Sequence, residues 1–234
     1  MPSHDRLRPL KAWRYVGVYG PEMMLCAAIV RIGPARQSFW ALWDRTRLEE
    51  RTSFWGHEVK LAFGWLEIPG RASLRLEEEA GVECVCPAGE SYAWTRKQGG
   101  IRASGTVGDR RLEARAIVDD TAAYYPRHTR WRWSAGVGHD VRGREIAWNL
   151  VEGVNDPPTG SERTVWVEGE SREVGADAFD GLRFRAEATR ERSDNLLLVR
   201  SRYRQPFGTF AGELPGGIEL SEGYGVMEDH EAWW

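Results

Sequence analysis

Gly181–Glu191 reads GLRFRAEATRE, and extended backbone would put Leu182, Phe184, Ala186 and Ala188 on one side and Arg183, Arg185, Glu187 and Thr189 on the other. A period of two with one apolar face is the pattern of a half-buried strand; wound at 3.6 residues per turn, the same residues form no stripe. Shorter stretches repeat it. Thr129–Trp133 (TRWRW), Val59–Glu67 (VKLAFGWLE) and Thr164–Glu168 (TVWVE) alternate in the same way. Turn chemistry separates such stretches at Gly108-Asp109, Glu168-Gly169-Glu170, Gly138-His139-Asp140 and Pro215-Gly216-Gly217, as hairpin connections require. The one candidate helix, Asp44–Glu50 (DRTRLEE), is short and mostly charged. An all-β chain with one or two helical turns at most is expected, built as two lipocalin-like β-barrel or folded-sheet halves packed together, because a dozen strands exceed one small closed barrel. The boundary falls in the polar, proline-containing joint Asp119–His128 (DDTAAYYPRH), giving halves 1–123 and 124–234. One continuous β domain is the alternative.

Composition narrows the partners. The 234 residues are 41% hydrophobic and 29% charged, with 26 glycines and 11 prolines, values of a turn-rich globular protein. The longest apolar run, Met23–Val30, is far short of the roughly 20 residues a membrane-spanning helix needs, so no span is expected. The opening residues MPSHDRLRPLKAW lack the apolar core of a secretory signal, which points to the cytoplasm. Cys84 and Cys86 share one side of a strand, Cys26 is distant, and the spacing fits no metal site, so the three are expected to be reduced structural thiols. No cofactor is expected: G-x-S-x-G, G-K-[ST] phosphate loops, H-E-x-x-H and G-x-G-x-x-G are all missing, and Val141 breaks the glycine pattern begun by Gly136 and Gly138. The formal net charge of −3 argues against nucleic acid, and in TRWRW the arginines alternate to the side away from the tryptophans.

Chemistry concentrates in Trp148–Gly169, WNLVEGVNDPPTGSERTVWVEG, where a strand runs into a rigid polar loop and returns. Asn155 and Asp156 suit the turn before two prolines, with Asn155 also a candidate ligand contact. Glu152, following Leu150 and Val151, is a candidate acid–base group if the strand end is buried, and an arginine partner otherwise. Among five histidines, His4, His57 and His139 suit solvated positions. His128 precedes the aromatic strand, and His230 stands beside Glu228 and Asp229, so either ring can be oriented by a carboxylate for proton transfer or serve as a hydrogen-bonded structural group. Tyr203 is a candidate hydroxyl donor and Arg204 an anion holder, close to Phe207 and a glycine-rich bend. Twelve tryptophans are the strongest compositional anomaly. Most are expected in the core; Trp131, Trp133, Trp148 and Trp166 are candidates for the wall of a ligand cavity.

Four stretches, WRYVGVYGPEMMLCAA (13–28), WNLVEGVNDPPTGSERTVWVEG (148–169), SRYRQPFGTFAG (201–212) and GYGVMEDHEAWW (223–234), resemble the bacterial domain-of-unknown-function family 2804 over nearly the whole chain. That resemblance implies no particular reaction. More distantly, the tryptophan-rich first half and the GYGVMEDH ending are similar to the lipocalin-like carotenoid hydratase and Diels–Alderase group. This implies paired β-barrel-like domains that handle apolar small molecules and transfers no catalytic residue. Two functions follow for an apolar, aromatic or polyene-like ligand: a cofactor-independent lyase, isomerase or cyclase using Glu152, His128, Tyr203, Glu228 or His230, or a non-catalytic carrier. A third class is a structural β protein whose tryptophans are all core. If the site is shared, the 148–169 loop should meet the C-terminal segment so that Glu152 borders one cavity with Glu228 or His230.

Overall fold

The computed structural model describes residues 1–54, 58–177, 179–196 and 199–234. His57 lies outside these. A two-stranded ribbon, β1 (His4–Asp5) and β2 (Arg8–Pro9), precedes the first large sheet. That sheet comprises β3 (Lys11–Tyr19), β4 (Met24–Ile32), β5 (Ala35–Trp43), β6 (Leu48–Phe54), β7 (Lys60–Ala62), β8 (Trp65–Ile68), β9 (Ala72–Leu76), β10 (Val82–Ala88), β11 (Ser91–Val107) and β12 (Arg110–Ala123). The second comprises β13 (His128–Asp140), β14 (Glu145–Glu152), β15 (Thr164–Val167), β16 (Glu170–Glu173), β17 (Leu182–Leu196), β18 (Val199–Leu214) and β19 (Ile218–Trp233). Strand order is β6-β5-β4-β3-β12-β11-β9-β8-β7 in the first, with β10 also on β11, and β16-β15-β14-β13-β19-β18-β17 in the second. The fold is all-β, two sheet halves packed together. Among the described residues no helix is long and apolar enough to cross a membrane.

Local chemistry accounts for the hairpins. Glu168 and Gly169, both with positive φ (52° and 82°), join β15 to β16 as a two-residue hairpin turn demands. Asp44–Glu50 is not helical. Asp44 Oδ1 accepts from the backbone N–H of Thr46 (2.9 Å) and Arg47 (2.8 Å), an aspartate turn that reverses the chain from β5 into β6 and competes successfully with a helix too short to nucleate. Val59–Glu67 is likewise no single strand: Gly64, at φ 74°, bends it into the β7–β8 hairpin. The turn expected at Gly138-His139-Asp140 lies further on, because His139 and Asp140 still belong to β13 and Asp140 accepts from the N–H of Arg142 and Arg144 to close the turn beyond it.

Each sheet has its own core and they share a third. Val16, Val18, Leu25, Leu66 and Leu74 fill the inside of the first sheet, while Trp148, Leu150, Phe210 and Met227 cover one face of the second. Tyr15, Tyr19, Cys26 and Ile117 of the first sheet meet Trp133, Val151, Trp166 and Phe207 of the second in the shared layer. Trp40 and Trp43, three residues apart on β5, fall in different layers, as strand geometry requires. At one end the layer is closed by Trp166 lying on Gly99, where an added Cβ would sit 2.2 Å from the indole; only glycine allows that approach. At the other end the sheets leave a space.

Candidate functional site

Pairing register builds this space. On the second sheet Trp131 stands opposite His230 and His230 opposite Tyr203, so three rings form one row across β13, β19 and β18. The next row on that face is Val151, Trp133 and Glu228. On the first sheet Tyr15 stands opposite Asp119 and Asp119 opposite Lys97. The two faces enclose an aromatic cavity of about 110 Å³, lined by Trp13, Tyr125, Trp131, Trp133 and Trp234 among others. Val30, Phe39, Tyr203, His230 and Trp234 also line an adjoining cleft of about 600 Å³.

Two buried polar groups of residues face this cavity. At the inner end, Lys97 donates to Asp119 and to Thr121 Oγ1 (3.3 Å), and its Nζ lies 3.2 Å from Glu162 Oε2. Asn155 Nδ2 donates to Glu162 Oε2 (3.1 Å) and to the Tyr125 hydroxyl (2.7 Å). Burial raises the Glu162 carboxyl above its usual range, with Lys97 opposing and Asp119 adding to the shift. Lys97 is itself raised, because Asp119 and Glu162 outweigh the burial that would lower it. Burial likewise holds the Tyr125 phenol well above its ordinary value.

Toward the cleft, Glu228 Oε1 accepts from Trp131 Nε1 (2.9 Å) and Oε2 from Gln205 Nε2 (2.8 Å). His230 Nδ1 lies 3.7 Å from Glu228 Oε1, and its Nε2 is 2.8 Å from the Ser201 hydroxyl. Arg190 Nη1 donates to the Tyr203 hydroxyl (3.1 Å) and to Gln205 Oε1 (3.1 Å), while its Nε donates to Glu50 (3.0 Å). Burial lifts the Tyr203 phenol well above its usual range, although Arg190 opposes the shift. Tyr203 is therefore a neutral hydroxyl at neutral pH. Its oxygen already accepts from a cation, which leaves its proton to be donated.

The remaining sequence candidates lie elsewhere. Glu152 stands opposite Arg132 at the exposed end of β14, while its neighbour Val151 turns into the cavity; one position of strand parity separates them. Asn155 and Glu162 of the 148–169 stretch do border one cavity with Glu228 and His230, but Glu152 does not. His128 is exposed, 3.0 Å from Glu231 and stacked on Trp233. Arg204 pairs with Glu191 at the surface (3.1 Å). Trp148 is fully buried on the opposite face of its sheet, donating to Ser134 (3.0 Å) and packing on Phe210. Trp166 borders a separate 450 Å³ cleft, and Phe207 is solid core between the sheets. All three cysteines are free. Sequence reasoning did not single out Lys97, Asp119, Tyr125, Glu162, Arg190 and Gln205 as a site. The one available signal was Glu162 itself, an acidic residue in a loop two positions before the strand-forming Thr164–Val167.

Residues 57–180, more than half the chain, match the family described as Domain of unknown function (DUF2804). The chain belongs to that family. Relative to this DUF2804 protein, a putative AttH from Nitrosomonas europaea is 13% identical, with a TM-score of 0.46 over 97% of this chain and 93% of that one. Kievitone hydratase from Nectria haematococca is 10% identical, with a TM-score of 0.47 over 94% and 88%. CghA is 12% identical, with a TM-score of 0.46 over 99% and 92%. No curated protein matches this chain by sequence.

Proposed function

We propose that this DUF2804 protein binds an apolar, ring- or polyene-like small molecule between its two sheets and catalyses a proton-transfer reaction on it, of the lyase, isomerase or cyclase kind. One observation carries the reading: Tyr203, Glu228 and His230 converge on one aromatic-walled space that adjoins a wider cleft. Indole and phenol faces supply non-directional contact for an apolar body. Tyr203, kept neutral by burial and polarised by Arg190, is the proton donor. Glu228 is the complementary acceptor, and its two hydrogen bonds from Trp131 and Gln205 fix its position. His230, held between Glu228 and Ser201, relays a proton toward the cleft.

A carrier is the second reading, favoured by the internal satisfaction of these groups: both Glu228 oxygens and the His230 Nε2 already have protein partners. Native mass spectrometry of protein from its host identifies the bound molecule, and incubation followed by product analysis separates the two readings. Conversion by the wild type, reduced by roughly 10²-fold or more in Tyr203→Phe or Glu228→Gln with binding retained, supports catalysis. Release of the molecule unchanged by the wild type establishes the carrier.

A further inference from the structure

The inner end of the cavity has a defined acceptor chemistry. Asp119 and Glu162, whose side chains are 9% and 3% exposed, share Lys97, which is the only ion-pair partner of either among the described residues. All three Lys97 protons are engaged by Asp119, Glu162 and Thr121. With both carboxyls ionised, two carboxylates against one ammonium leave one negative charge in excess at a largely buried position, where an unpaired charge is costly. Asn155 provides an independent sign. It is 4% exposed and borders the cavity, both its amide hydrogens are donated to Tyr125 and Glu162, and its Oδ1 has no hydrogen-bond partner. The amide orientation is dictated by its neighbour, because Glu162 Oε2 also faces Lys97 and presents itself to Asn155 as an acceptor. The backbone of Asn155 is held at φ 51°, and its carbonyl accepts from the N–H of Glu162 (3.3 Å), so the free acceptor is on a fixed support.

The walls around this acceptor are π faces that already attract cations from within the chain. Lys11 Nζ lies 5.4 Å from the Trp234 ring centroid, and the Arg190 guanidinium 4.4 Å from that of Phe39. Trp13 stacks on Tyr125 at 6.0 Å beside Asn155's own partner hydroxyl. A hydrogen-bond donor that also carries positive charge satisfies the orphaned oxygen, the excess carboxylate and the ring faces together. A neutral hydroxyl satisfies only the first, and an anion none.

Building on the ligand-binding reading of the same cavity, we infer that its ligand carries a protonated amine on the apolar body, inserted toward Asn155, Asp119 and Glu162.

Three probes with one ring system test the inference by isothermal titration calorimetry at neutral pH: naphthalen-1-ylmethylamine, naphthalen-1-ylmethanol and naphthalene-1-carboxylate. The amine should bind at least about tenfold more tightly than the alcohol, with the carboxylate weakest. In Glu162→Gln the amine's advantage should shrink toward one while alcohol affinity stays the same. Asp119→Asn removes the same charge from the other sheet and gives a second reading should either variant fold poorly. Alcohol binding as tight as amine binding overturns the inference and leaves the cavity reading standing. So does an amine preference that survives both substitutions. If none of the three probes binds, the cavity reading falls, and the inference with it.

Discussion

Replacing Lys97 by methionine removes the charge on which the inner polar group depends while keeping most of the side-chain volume. Lys97 is 1% exposed, and its departure leaves the buried Asp119 and Glu162 without a cation. Breaking a buried pair from one side costs about 3–5 kcal/mol, since the remaining charge has neither partner nor solvent. Glu162 moderates this by taking up a proton more readily, its carboxyl being raised already, so the lower end of the range is expected. For a chain of this length about 3 kcal/mol corresponds to a fall of roughly 6–12 °C in melting temperature. The assay is thermal and urea denaturation of the wild type, Lys97→Met, and Lys97→Met combined with Asp119→Asn and Glu162→Gln. The triple variant replaces the ionic cluster by neutral isosteres and should recover most of the loss, because the penalty comes from uncompensated charge and not from packing. A loss under about 1 kcal/mol for Lys97→Met, or a triple variant no more stable than the single, would refute the picture of two buried carboxylates held by one lysine.

Three further expectations follow from the same geometry. Glu162, raised in the folded state, binds more protons there than when unfolded; its contribution to stability is complete below its unfolded value near 4.5 and is lost as pH rises through the folded value, so Glu162→Gln should gain on the wild type in melting temperature from pH 4.5 upward, and a gap independent of pH contradicts the assignment. Neighbouring Cys86 and the Thr95 hydroxyl, which donates to the Cys84 sulfur, lower the Cys84 thiol to about 7, so iodoacetamide labelling of Cys84, followed by peptide mass mapping, should rise with a midpoint near that pH while Cys26 stays slow, and a midpoint near 9 contradicts it. Gly99→Ala drives a methyl into the Trp166 indole and should cost about 1–3 kcal/mol in urea denaturation, whereas an unchanged midpoint would mean that the two sheets do not close there.

The fold was legible because its signals are local. Alternation in GLRFRAEATRE and the turn chemistry at Glu168-Gly169 are statements about adjacent residues, and the strands at Leu182–Leu196 and Thr164–Val167 follow from them. The best helix candidate, Asp44–Glu50, gives way to an equally local competitor, the aspartate turn that Asp44 forms. Tyr203, Glu228 and His230 were legible as candidates because each stands in an aromatic, alternating stretch of a strand. What sequence could not give is which face turns toward which sheet. Glu152 and Val151 differ by one position, as do Trp148 and Ala147, and only cross-strand register decides which of each pair faces the layer between the sheets. Lys97 and Asp119 come from neighbouring strands of the first sheet and Glu162 from a loop of the second half, and their meeting is a property of long-range pairing that no spacing along the chain encodes.

If the aromatic space between the sheets admits an apolar molecule, narrowing it at the side of the adjoining cleft must weaken binding. Val30 is common to the cavity and the cleft, only partly buried, and outside the packed cores, so Val30→Trp fills space between the two without removing any polar group. Calorimetric titration of the wild type and Val30→Trp with naphthalen-1-ylmethanol, beside their melting curves, measures the claim directly. The account predicts one site in the wild type and at least about a tenfold loss of affinity in the plugged variant, some 1.4 kcal/mol, at little cost in melting temperature. Equal affinity in both proteins, with the variant folded, would place the ligand elsewhere and contradict it.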